Sequence, residues 1–298
     1  MSHDLSITVR FHPPPEDLRR YFTTFYVTRI DVPGNEPVED ALQPEWANLR
    51  IFDGAGPVSW FEGGEPLSGA RFTATGPSSR PCHFRLGTSR FWGIGLLPLG
   101  WHRYVGQQAS DHANLIADGH RHPTFAPFAP LADGLYGDHP DEAAELERII
   151  RFFRSFEPAP ESDEARIMAV HATLVDPQVD TVAKMVDHVG LGQRTLERLC
   201  HRDFGFSPKV LLRRQRFMRS LAHFMLDPSL KWIGAIDSQY HDQAQFVRDF
   251  REFMGMTPRA YAAMPHPVLE RFMQERKRML RAPVQTLDSP QGAAPDLP

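Results

Sequence analysis

Leu196-Glu197-Arg198-Leu199-Cys200-His201-Arg202-Asp203-Phe204-Gly205-Phe206-Ser207-Pro208 and Phe246-Val247-Arg248-Asp249-Phe250-Arg251-Glu252-Phe253-Met254-Gly255-Met256-Thr257-Pro258 are two copies of one pattern. In each, an apolar residue is followed by x-Arg, then x6-Gly, then x2-Pro, and every one of these positions recurs after 50 residues. Self-similarity at a fixed period marks two copies of one supersecondary unit. A short helix, a glycine stop and a proline that opens the next helix are the parts of a helix-turn-helix. The chain is therefore expected to carry two such units in its C-terminal half.

The surroundings of the repeat support this. Val182, Met185, Val186 and Val189 form an apolar stripe that ends at Gly190, a residue suited to a sharp corner. The next helix, from about Gln193 to Asp203, turns Leu196 and Leu199 inward and leaves Arg194, Glu197, Arg198 and His201 on other faces. A long helix over Pro208–Leu226 follows. At 1.5 Å per residue it spans roughly 25–30 Å, close to the ~34 Å between successive major grooves, so it can act as a ruler between two heads. Arg213, Arg214, Arg216 and Arg219 on it are expected to form a solvated face, with some reaching phosphates. The second unit runs from Leu230 to Tyr261, and its reading helix begins near Asp242.

Residues in the first two turns of a reading helix meet base edges. The DNA-contact candidates are Gln193, Arg194, Thr195, Glu197 and Arg198 in the first unit, and Gln243, Ala244, Gln245, Val247 and Arg248 in the second. Arginine pairs bidentately with guanine, glutamine with adenine, and alanine or valine meets a thymine methyl. The bland alternative is a pair of helical units that bind only protein.

The segment GLGQRTLERLCHRDFGFSPKVLLRRQRF, followed about 25 residues on by YHDQAQFVRDFREFMGMTPRAY, resembles the two-headed DNA-binding domain of the AraC/XylS transcriptional regulators from near Asp180 to Tyr261. The resemblance implies that the third helix of each half enters adjacent major grooves, with Arg194, Glu197, Arg198, Gln243, Ala244, Val247 and Arg248 at matching positions. It also implies an effector-binding or dimerising β-rich domain upstream. One departure is Gln239 before Tyr240, where the family usually has glycine; a distorted turn or a positive φ is expected there. Gly234 and Asp237 interrupt the supporting helix, which makes the second head the less firmly packed one.

Upstream, Leu5–Phe11 alternates apolar and polar residues until the prolines at 13–15. Tyr21–Val32, Trp46–Phe52, Val58–Phe61, Ala70–Thr75 and Phe91–Leu97 read as further strands between Gly/Pro-rich turns. Many short strands predict a barrel or sandwich, although Asp17–Val27 also fits a helical face. The aromatic residues here are core, with some lining an apolar effector pocket that no residue pattern locates. After His139-Pro140 a helix begins, acidic at its start and basic at its end, which closes this domain or contributes to a dimer interface.

The fold class is thus multidomain: a β-rich, barrel-like domain over 1–156, a Pro-rich acidic linker at 157–164, an all-α double helix-turn-helix over 165–282, and a disordered tail at 283–298. The overall charge of −4 hides an asymmetry. Residues 165–282 hold 19 Lys+Arg against 12 Asp+Glu, or +7; residues 1–164 hold 14 against 23, or −9. An acidic front and a basic back suit a chain of which one half meets phosphate.

Enzymatic readings are weak. His120-Arg121-His122 has the spacing of a cupin-type metal site but no carboxylate follows, so a structural role is expected. Gly93-Ile94-Gly95 lacks the third glycine of a nucleotide loop and is expected to let a strand bend. Cys82 and Cys200 form no C-x-x-C. The chain is read as a sequence-specific transcriptional regulator and not an enzyme, with a cupin-like or DNA-repair enzyme carrying a DNA-binding module as the rival. No metal or cofactor is expected. The expected partners are double-stranded DNA, a small-molecule effector, a second copy of the chain and RNA polymerase. No apolar run approaches the ~18 residues that span a bilayer and no basic leader opens the chain, so a cytoplasmic protein without membrane contact is expected.

Overall fold

The alternation that opens the chain becomes strand β1 (Ser6–His12) in the computed structural model, which describes residues 5–34, 36–156, 163–227, 231–280 and 284–290. It pairs antiparallel with β2 (Phe22–Asp31), the stretch whose state was ambiguous. There, turns from Pro15 to Tyr21 precede the strand. The remaining strands are β3 (Val38–Leu42), β4 (Ala47–Asp53), β5 (Val58–Phe61), β6 (Leu67–Ser68), β7 (Phe72–Thr75), β8 (Cys82–Leu86), β9 (Ser89–Leu96) and β10 (Ile116–Asp118). They form two antiparallel sheets, β1-β2-β9-β4-β7-β10 and β3-β8-β5-β6, which do not close into one barrel.

Every residue of β2 from Phe22 to Thr28 is buried, because both faces of the six-stranded sheet are covered. On one face Phe25, Val27, Trp92 and Ile94 pack with Ile149 and Phe153 of the helix Glu142–Arg154. On the other, Val9, Phe11, Tyr26 and Ile30 meet Phe84 and Leu86 of the second sheet. Each such side chain contributes about 1.5–3 kcal/mol when fully buried. The helix Glu142–Arg154 is capped by Asp141, which accepts from the Ala144 N–H at 3.0 Å. It is tied to the sheet through Glu145, which accepts from Trp92 Nε1 at 2.6 Å and Arg90 Nη1 at 3.0 Å.

The helical part contains Glu164–Val175, a supporting helix Val182–Val189, the first reading helix Gln193–Leu199, the connecting helix Pro208–Leu226, a short helix Lys231–Ala235, the second reading helix Gln243–Met254, Pro258–Ala262 and a closing helix Pro267–Leu280. A π turn, Cys200–Phe204, extends the first reading helix to Gly205. The expected linker falls largely on 157–162, outside the described residues. The two parts flanking it share a core: Trp46, Leu97 and Leu99 belong to the same apolar cluster as Ile167, Leu196, Leu199 and Cys200.

The closing helix corrects the expectation for the C-terminus. Placed by sequence within the all-α domain over 165–282, it lies on the β-rich part, with Val268 in the cluster of Phe11 and Tyr26 and Phe272 packed against it. Its N-terminus is capped from another element: Asp40 of β3 accepts from the Val268 N–H at 2.9 Å and the Leu269 N–H at 2.8 Å. The expected disordered tail is likewise ordered where it is described. Thr286 is buried, its carbonyl accepting from Gln215, and Asp288 pairs with Arg276 at 3.0 Å. Composition hid this, because Val284 and Leu287 supply the apolar anchors within a Pro- and Gly-rich run. Residues 291–298 lie outside the described residues.

His266, next to Asp40 at 3.4 Å, makes the docking of the closing helix pH-dependent. Burial acts to lower the imidazole pKa, but hydrogen bonds to Asp40 and the Tyr261 carbonyl outweigh it and hold the group above its ordinary 6.5. The stabilisation is therefore fully present below 6.5 and lost as pH rises through the raised value. Amide exchange of residues 267–280, corrected for intrinsic rates, is expected to quicken as pH rises above 6.5. His266→Gln should flatten that profile, and a wild-type profile already flat would refute the coupling.

Candidate nucleic-acid interface

Both copies of the repeat fold alike. Gly205 (φ +83°) and Gly255 (φ +69°) take the left-handed conformation that stops each reading helix. Pro208 and Pro258 open the helices that follow, capped by Ser207 and Thr257. Leu196 and Leu199 are buried, as are Phe246 and Phe250. In the first head Gln193, Arg194, Glu197 and Arg198 are exposed and Thr195 is half-buried; in the second Gln243, Ala244 and Arg248 are exposed and Val247 and Gln245 are half-buried. Gln245 has a job of its own. Asp242 accepts from the Gln245 N–H at 2.6 Å, and Gln245 Oε1 accepts from the His241 N–H at 3.1 Å. This capping box, legible as D-x-x-Q, turns that side chain back onto the helix start.

The turn before the second reading helix is not strained in the way expected. Asn114 is the only non-glycine with positive φ among the described residues, so Gln239 does not replace glycine conformationally. Asp237 organises the turn instead: its N–H donates to Ser220 Oγ at 2.8 Å and its carboxylate accepts from the Gln239 N–H at 2.9 Å. Nor is the core of this head loose. Trp232 stacks on Phe224 with centroids 3.6 Å apart, and Phe246, Phe250 and Phe253 are buried around it. What is reduced is the supporting helix, Lys231–Ala235 against Val182–Val189.

The arginines of the connecting helix are not a solvated face. Asp249, 2% exposed, accepts from Arg213 Nη2 at 2.6 Å, Arg216 Nη2 at 2.9 Å and the Tyr240 hydroxyl at 3.0 Å. Arg219 Nη2 donates to Gln239 at 2.8 Å. Arg214 is completely buried: its Nη1 donates to the Ser78 carbonyl at 2.8 Å and its guanidinium lies 4.1 Å over the Trp46 ring. Its Nε and Nη2 have no partner among the described residues, and burial lowers its pKa to about 9. By contrast Arg194, Arg198 and Arg248 have no ion-pair partner among the described residues, which leaves them able to meet an anion. Between the heads lies an open cleft of about 1170 Å³ whose walls include Lys209, Arg213, Arg216, Gln239 and Arg248. Gln239 also donates to the Pro177 carbonyl, linking the heads across it.

A second concavity lies in the β-rich part, where sequence reasoning had no residue to offer. It measures about 580 Å³ with its mouth and is walled by both parts: Phe11, Tyr26 and Arg50 from the sheets, Leu269, Phe272 and Met273 from the closing helix. Gly93 faces Tyr26 across β9 and β2, and a Cβ built on it would fall 1.9 Å from the tyrosine ring. The glycine thus admits Tyr26 rather than bending a strand. His120 and His122 lie in a turn, His120 Nε2 at 3.0 Å from Asp133, and no metal-holding cluster occurs among the described residues. No helix among them is long and apolar enough to cross a membrane.

Comparison with known proteins gives a domain match and distant folds. No curated protein matches the sequence. Among solved structures, the chain is similar to ToxT from Vibrio cholerae (9% identity, 87% of this chain and 98% of that one, TM-score 0.42). It is also similar to a form of ToxT bound to an unsaturated fatty acid (8%, 90% and 98%, TM-score 0.40). The AraC-like transcriptional activator CuxR follows at 11% identity, 73% and 87% coverage and a TM-score of 0.26. Residues 185–264, which contain both reading helices, match the family model described as a helix-turn-helix domain. The chain therefore carries a helix-turn-helix domain behind a β-rich N-terminal part.

Proposed function

We propose that the chain is a sequence-specific transcriptional regulator that binds double-stranded DNA with both heads, under control of a small effector or a second copy held by the β-rich part. The observation that carries this is the contrast among the arginines. Those of the connecting helix are committed to internal partners, whereas Arg194, Arg198 and Arg248, on the exposed faces of the reading helices, are not. A bidentate arginine on guanine and a glutamine on adenine supply base readout, and the exposed cations of the cleft supply phosphate attraction. In this reading Gln193, Arg194, Glu197, Arg198, Gln243, Ala244 and Arg248 contact DNA, Thr195 and Val247 line its approach, and Gln245 joins only if its cap opens.

The same reading makes the cytoplasm the compartment and RNA polymerase a partner once the chain is on its operator. An enzymatic role in alkyl-group repair needs a reactive thiolate. Burial pushes the Cys82 thiol up to about 12 and raises that of Cys200 as well, so neither is suited to it.

Binding to a selected operator, followed by fluorescence anisotropy, tests the assignment. Arg198→Ala and Arg248→Ala are each expected to weaken the specific complex by about 1–3 kcal/mol and to relax preference at one base pair. Unchanged affinity and unchanged preference would remove that arginine from the interface. Both variants should keep their urea midpoints, as exposed substitutions alter stability by only about 0.5 kcal/mol. Asp249→Ala should behave in the opposite way, because it takes the carboxylate from Arg216 and from the Tyr240 hydroxyl and leaves Arg213 with Glu252 alone. It is expected to lose about 3–5 kcal/mol of stability, and a midpoint unchanged in urea would show that Asp249 is not the hub.

A further inference from the structure

The cavity under the closing helix says more about its occupant than its size does. Its walls carry two cations, and each already has an anion. Arg50 Nη2 donates to both oxygens of Glu45, at 2.8 and 2.9 Å, and Gln285 Nε2 adds a bond of 2.6 Å to the same carboxylate. Arg276 is paired with Asp288 at 3.0 Å. Both pairs are buried, so the charged lining residues together with their partners carry no net charge. An occupant with a carboxylate would meet Glu45 and find no uncommitted cation; one with an ammonium would meet Arg50. Either ion would be buried without a counter-charge, an arrangement that water outcompetes.

One wall group does lack a partner. Gln43 is 6% exposed, its Nε2 donates to the Tyr261 hydroxyl at 3.3 Å, and its Oε1 has no hydrogen-bond partner among the described residues. If the amide is turned over, Oε1 accepts from Tyr261 instead and the NH₂ is left over. In one orientation the cavity asks for a donor and in the other for an acceptor. A hydroxyl supplies both.

We propose that this cavity takes an uncharged, largely apolar molecule bearing a hydroxyl, which hydrogen-bonds Gln43 while its apolar body lies against Phe11, Leu42, Phe272 and Met273. This rests on the effector reading above and narrows it to a chemical class. The position of Gln43 also explains how occupancy reaches the reader. Tyr261, its partner, belongs to the helix that follows the second reading helix and packs on Phe250, so the occupant's polar group sits one hydrogen bond from the core of the second head.

Calorimetric titration of the full chain with 1-decanol, decanoate and decylammonium tests this on one apolar scaffold. Decanol is expected to bind about tenfold or more tightly than either ion. Gln43→Leu should weaken decanol by about tenfold, since the buried hydroxyl loses its partner. Glu45→Gln, which frees Arg50, should move the preference toward decanoate. Decanoate binding the wild-type chain as tightly as decanol would overturn the neutral class and leave the effector cavity standing. Decanol affinity indifferent to Gln43→Leu would overturn the anchor. No binding by any of the three to the wild-type chain or to Glu45→Gln would remove both the class and the effector reading beneath it. A circular-dichroism melt verifies folding of each variant, and should Glu45→Gln fail to fold, the wild-type series and Gln43→Leu decide.

Discussion

The guanidinium of Arg214 sits where the two parts of the chain meet, wholly out of water and without a carboxylate among the described residues. It is held by one hydrogen bond to the Ser78 carbonyl and by the face of Trp46, and at neutral pH it remains charged even though burial lowers its pKa. A buried cation with so little compensation is costly, and it persists only because the surrounding structure over-determines its place. That structure is the connecting helix, whose spacing sets the distance between the reading heads. The bar that separates the heads is thus clamped by the β-rich part. Separation of the parts exposes Trp46, Leu97 and Leu99 but returns a cation to water, and the two effects oppose one another. The closed arrangement is consequently less stable than its apolar area alone implies.

A second route joins the parts at the far end of the chain. The closing helix begins four residues after the helix of Tyr261, receives its N-terminal cap from Asp40 in β3, and lays Phe272 and Met273 over the cavity. Filling or emptying that cavity changes contacts made by a helix covalently continuous with the second head. Arg214 and the closing helix act on different segments of the reader, so the β-rich part holds it at more than one point.

The reader was legible because its constraints are local. Glycine at positive φ, proline at a helix start and inward leucine or phenylalanine leave a fixed spacing in the sequence, and Gly205, Gly255, Pro208 and Pro258 sit where that spacing demands. Six strand segments were legible for the same reason. β3 was not, because Val-Glu-Asp-Ala-Leu reads as a charged loop, and Asp40 points inward only to cap a helix more than 220 residues away. The arginines of the connecting helix were misread because partners on Asp249, Ser78 and Asp237 come from distant segments. The cavity was invisible for the same reason, since its walls come from both ends of the chain. Among the reading residues, spacing identified those that are exposed, while the half-buried Gln245 could have been set apart by its D-x-x-Q context.

The irregular support of the second head pointed to looser packing, but the heads differ in what their cores are shared with. Both heads have buried cores. The first shares its core with the β-rich part, since Leu196, Leu199 and Cys200 belong to one cluster with Trp46, Leu97 and Leu99. The second has a core of its own, built from Phe217, Trp232, Phe246, Phe250 and Phe253, and the closing helix enters it through Leu269 and Met273. A displacement in the β-rich part therefore moves the first head through a shared core and the second through that helix and the Gln43–Tyr261 hydrogen bond. Two heads that fit successive grooves of one duplex tolerate little relative error, so under the proposed function these separate attachments are where an occupant of the cavity would change DNA affinity without unfolding either reading helix.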